Sequence, residues 1–231
     1  ETIFCNFAKY MLAFELHNRL IENKDWATIL FVLCVGIIAI NKTISSVRFN
    51  EFIRLAYSDK YTKIYKDSSN LMSGFTVSMF VLQLFSFSFF TLLVLNQFDK
   101  AEKTNGIVYI QIFTFLTVFI LSKFLIEKIV ATAFKIEEFN EQFNLLKVNY
   151  RAYFGFILLP VNIILFYNTF DSKLFFWILL VALFVINITT YIVALKLYQN
   201  LLMRKIFYFI LYLCTLEIAP YYFIYNWFTK N

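Results

Sequence analysis

The chain has 231 residues, of which 61% are hydrophobic and only 16% charged, with a formal net charge of +6. Ordinary soluble domains carry about 25% charged residues. Here the apolar excess falls in long uncharged runs, which excludes a soluble domain of ordinary composition. The basic residues lie between those runs, so the positive charge reads as loops beside membrane spans and not as a nucleic-acid surface.

In chain order, residues 1–25 contain "IFCNFAKYMLAFELHNRLI", an expected amphipathic segment on the outer leaflet. A bilayer core about 30 Å thick needs about 20 helical residues. Six stretches meet that length, near 26–44, 71–98, 107–126, 152–170, 174–195 and 206–228, and a tail of 229–231 follows. The expected fold is therefore all-α: a polytopic transmembrane helix bundle of about six spans with amphipathic interfacial or cytoplasmic helices.

The inner connections look helical. In "TISSVRFNEFIRLAY" the spacing sets Ile44, Val47, Ile53 and Leu55 against Arg48, Glu51 and Arg54. In "IVATAFKIEEFNEQFNLLKV" an apolar face of Ile129, Ala133, Ile136, Phe139, Phe143 and Leu146 opposes Glu137, Glu138 and Glu141. The latter is either an extension of the third span or a helix at the interface. Lys123 and Glu127 sit at the inner end of the third span, where a lysine reaches outward to water.

Six spans place 6, 5 and 3 basic residues on one side, 14 in all, and 7 on the other. The richer side is expected in the cytoplasm, with both termini of the chain outward. Trp26, Trp177 and Trp227 then fall at the outward ends of their spans, as an interfacial aromatic belt requires.

Signatures of catalysis are sparse. The sequence holds one histidine, His17, four glycines, and no nucleotide-binding or metalloprotease motif. No metal site, cofactor or catalytic residue is expected, and Cys5, Cys34 and Cys214 read as buried thiols. What stands out is polar content inside the spans. Gln83, Asn162 and Glu217 lie about 10–12 residues from the inner ends, about 15–18 Å deep, with Asn187, Pro160 and Pro220 near that level. Pro220 leaves the Leu216 carbonyl without its helical donor beside the Glu217 carboxyl group. These residues are expected to form a polar joint between helices, and the alternative makes Glu217 a proton-coupling residue.

Three stretches carry a resemblance: "FNEFIRLAYSDKY", "NYRAYFGFILLPVN" and "YLCTLEIAPYY". They are similar to a domain-of-unknown-function family of multi-pass inner-membrane proteins from the Bacteroidota, over about residues 25–228. The resemblance implies a bacterial inner membrane with the outward side facing the periplasm. It marks Tyr150, Arg151, Pro160, Asn162, Glu217 and Pro220 as motif positions. The expected role is a non-enzymatic subunit of an envelope complex, linked to protein export or secretion, in contact with the bilayer and with other integral membrane or envelope proteins. The alternative is a small proton-coupled transporter or channel using Glu217.

Overall fold

The computed structural model describes residues 24–56, 60–65, 71–133, 137–168, 174–185 and 188. Among these residues the chain is helical, without strands. The helices are α1 (Asp25–Ile44), α2 (Ser46–Ile53), α3 (Lys60–Ile64), α4 (Gly74–Gln97), α5 (Gly106–Ala133) and α6 (Glu137–Tyr167), with a 3-10 turn at Arg54–Ala56. A shorter apolar helix, α7, covers Leu174–Val185. Four of them, α1, α4, α5 and the Asn140–Tyr167 part of α6, are long and apolar enough to cross a membrane.

Local chemistry sets the boundaries. Ser73 caps α4, its side chain accepting from the Thr76 amide, and Asn105 receives the Ile107 and Val108 amides at 3.0 and 3.3 Å at the start of α5. Between them α4 stops at Asp99, whose φ of 56° ends the helix in the left-handed region. A short polar residue tolerates that conformation better than most.

Helix α4 is the centre of the bundle. Over half of its most apolar window is buried (56%), against 11% for α5. It packs along α6, α5 and α1. At one end Trp26 donates to the Thr104 carbonyl at 3.1 Å and stacks on Phe89, with Tyr109 and Phe166 around it. At the other end Arg48 donates to Ser73 and Thr76 at 2.8 and 2.9 Å. These two anchor points fix the directions: α4 and α6 run parallel to each other, and α1 and α5 run antiparallel to them.

Two features differ from the sequence reading. In α2 the buried side chains are Phe49 and Phe52; of the expected apolar face Leu55, in the turn that follows, is buried at 3%, while Ile44 at the end of α1, Val47 and Ile53 are exposed at 79%, 72% and 41%. Arg48 turns inward between the Tyr65 and Phe75 rings, 4.7 and 4.8 Å from their centroids. Of the four expected aliphatic positions only Leu55 packs into the aromatic cluster. The aromatic side chains are the ones that fill the bundle. In addition, α6 is one helix of 31 residues, so the acidic stretch from Glu137 continues directly into the fourth apolar run. Ile129 and Ala133 belong to α5 and face outward.

Candidate functional site

Two polar clusters lie inside the bundle. The first is on the α4–α6 seam. Asn162 is fully buried, and its Nδ2 donates to the Ser86 carbonyl at 2.7 Å and to Ser86 Oγ at 3.2 Å. Further along the seam, Gly155 faces Gln83 so closely that an added Cβ would lie 2.7 Å from the Gln83 Cα. This is the small-residue contact that lets membrane helices approach. The Gln83 Oε1 and Asn162 Oδ1 atoms are buried without a hydrogen-bond partner among the described residues. Each therefore offers an acceptor in an apolar setting, where an unmet polar atom is costly.

Gln83 and Asn162 thus lie on one interface, each with a different neighbour across it. Pro160, two residues before Asn162, is exposed on another face of α6. Its ring lacks the N–H that would meet the Phe156 carbonyl. Glu217, Pro220 and Asn187 lie outside the described residues, as do Cys5, Cys214, His17 and the N-terminal segment.

The second cluster joins the C-terminal part of α5 to the N-terminal part of α6. Lys147 Nζ donates to both oxygens of Glu127, at 3.0 and 2.9 Å. The two side chains are only 5% and 2% exposed. The same ammonium lies 4.8 Å from the Phe143 ring centroid, one helical turn before it. Lys123, one turn before Glu127 on α5, is also buried. Lys123, Glu127 and Lys147 line a pocket of about 280 Å³ together with Thr76, Asn144 and Arg151. Asn144 is buried and its Nδ2 has no acceptor among the described residues.

The pocket wall is otherwise apolar, formed by residues such as Val77, Phe80, Leu121 and Phe124. Its charged lining residues are Lys123, Lys147, Arg151 and Glu127, the last bound to Lys147. Of the motif positions, Arg151 lines this pocket, and the half-buried Tyr150 packs against the neighbouring aromatic cluster of Phe49, Phe52 and Tyr61. Thr76 connects pocket and cluster, because it also accepts from Arg48. The sequence signal that marks the second site is the four-residue spacing of Lys123 and Glu127 on one helix and of Lys147 and Arg151 on the next. Each pair projects from one helix face.

Among the described residues no group of three or more His, Cys, Asp or Glu side chains gathers as a metal site. Comparison with curated proteins and with solved structures gave no match. A family model described as a domain of unknown function, DUF4271, matches residues 27–228. That match spans nearly the whole chain, so the protein belongs to the DUF4271 family.

Proposed function

We propose that this chain is a polytopic inner-membrane protein of about six spans with both ends of the given sequence facing the periplasm, as in the Bacteroidota family it resembles. It acts there as a non-enzymatic subunit of an envelope complex tied to protein export or secretion. One observation carries the membrane reading: large apolar side chains cover the outside of the bundle while several polar ones are buried within its apolar core. Large aliphatic side chains of α5 such as Ile107, Ile110, Val118 and Ile129 are exposed at 59–71%, while Gln83, Ser86, Ser88 and Asn162 are at most 2% exposed. Water would favour the reverse, and lipid favours this arrangement.

The excess of basic residues on the inner side supports the orientation. The broad apolar faces of α1 and α5 support assembly, since such faces accept a neighbouring membrane helix as readily as lipid. Affinity purification from native membranes in mild detergent tests the subunit role. A stoichiometric envelope protein should co-purify, and isolation of the chain alone would refute the role.

A second reading, a proton-coupled transporter or channel using Glu217, draws on the buried unpaired oxygens of Gln83 and Asn162. Those acceptors suit a polar path through the bundle. Under it, Glu217→Gln abolishes pH-dependent flux in proteoliposomes while leaving the fold intact. Flux retained by the variant would exclude it.

A further inference from the structure

We propose that the pocket between α4, α5 and α6 holds an acyl chain of an inner-leaflet glycerophospholipid, with Asn144 donating to its ester carbonyl. The inference rests on the membrane reading but not on the subunit role. Three features of the pocket carry it. Its wall is largely apolar, formed by side chains such as Val77, Phe80, Ile120, Leu121 and Phe124. Its rim runs into the face turned toward lipid: Met72, Val77 and Leu121 line the pocket and are exposed at 81%, 45% and 46%. The pocket therefore opens sideways, toward the bilayer. The third feature is Asn144, a buried lining residue whose Nδ2 has no acceptor among the described residues. A buried donor left unmet is costly, and a ligand carbonyl removes that cost.

Size and depth select the occupant. One water needs about 10–15 Å³ of such space and two to four polar partners. The pocket has about 280 Å³ and a largely apolar wall, so water satisfies Asn144 and leaves the rest badly filled. On α5 the residues from Gly106 to Ser122 are uncharged. Seventeen residues at about 1.5 Å each cover about 25 Å, which reaches the inner edge of a hydrocarbon core about 30 Å thick. The pocket runs along the helices across that edge. Phe80, Ile120 and Leu121 lie on its bilayer side, and Asn144 lies on its inner side. A glycerophospholipid has the same order, with its chains in hydrocarbon and its ester carbonyls where the polar region begins. An ester carbonyl only accepts, and the Asn144 amide group supplies the donor. A soluble ligand without a chain leaves the apolar wall without an occupant.

Native mass spectrometry and thermal melting of the full chain, stripped of lipid in a neutral detergent, test the assignment. The probes are diacyl phosphatidylethanolamine, its dialkyl ether analogue of equal chain length, and palmitate. The diacyl lipid should be retained and should raise the melting temperature. The ether analogue keeps the chains and headgroup but lacks the carbonyls, and should bind about fivefold more weakly. Palmitate, a single chain with a charged carboxylate, should also bind more weakly than the diacyl lipid. Asn144→Leu should bind the diacyl and ether lipids alike, because the donor is gone. Leu121→Trp, which fills the mouth of the pocket, should weaken both. Equal binding of the two lipids by the unaltered chain would overturn the proposal. So would discrimination retained by Asn144→Leu, or binding unchanged in Leu121→Trp. Palmitate bound as tightly as the diacyl lipid would overturn the phospholipid as occupant. Because the lipid comparison uses the unaltered chain, it decides the matter even where a variant fails to fold. A failed co-purification would refute the subunit role and leave this result standing, and absence of the chain from membrane fractions would separately refute the membrane reading.

Discussion

Lys147 binds both carboxylate oxygens of Glu127 from the facing helix, twenty residues away in sequence, with the pair almost wholly removed from solvent. The bond ties α5, the least buried of the four long helices, to α6. Removing one partner leaves an uncompensated charge in a low-dielectric site, which typically costs about 3–5 kcal/mol. Glu127→Gln and Lys147→Met should each destabilise the chain by that order in denaturant titrations in detergent. Glu127→Leu combined with Lys147→Met should recover most of the loss, since two apolar side chains replace the pair without stranding a charge. Additive losses in the double variant would show that the two residues act separately.

Gly155 should not accept a side chain. The Cβ of an alanine would stand 2.7 Å from the Gln83 Cα and 3.1 Å from its Cβ, so two helix backbones must separate. Gly155→Ala is expected to cost about 1–3 kcal/mol. Gly36→Ala, with nothing within 4 Å of the new atom, should be neutral or stabilising by up to about 1 kcal/mol. The contrast between the two melting temperatures is the measurement.

Arg48→Lys should behave as a loss and not as a conservative change. The guanidinium reaches Ser73, Thr76 and Tyr61 at once and lies between two rings, a set that a single ammonium cannot reproduce. A loss of about 1.5–3 kcal/mol follows from hydrogen bonds to a charged group. Faster proteolysis within the α2–α3 region would report the same loosening.

Tyr61 lies in α3, outside the long apolar helices. Burial raises its pKa above the ordinary value of 10.0, against the opposing pull of Arg48. A raised folded pKa means that the stabilisation from the neutral phenol is complete below the unfolded value and lost as pH rises through the folded one. Stability should therefore fall on the alkaline side above about pH 10, and Tyr61→Phe should flatten that limb. An unchanged alkaline limb in the variant would assign it to other groups.

Much of the architecture is legible in the sequence because it follows from length and hydropathy. Long uncharged runs become α1, α4, α5 and the later part of α6, and the Ser73 and Asn105 caps fall where short polar residues precede them. The faces are harder to read. In α2 the aliphatic residues point outward and Arg48 points in, because burial there follows aromatic packing. Gln83 and Asn162 both lie on the α4–α6 seam, but Asn162 is bonded to Ser86 while Gln83 packs against Gly155, seven residues earlier on α6. Glu127 and Lys147 lie on different helices and become partners only when α5 and α6 pack antiparallel. A charge near a span end looks like an outward-reaching side chain until its tertiary partner is known.

The account's central claim is that these helices cross a membrane, with the pocket at the cytoplasmic end. Site-directed cysteine labelling in intact cells with a membrane-impermeant maleimide tests it most directly, after replacement of Cys5, Cys34 and Cys214. A cysteine at Lys103, between α4 and α5, should be labelled from outside, and one at Met72, exposed before α4, only after the inner membrane is opened. Labelling of both positions from the same side would contradict the account.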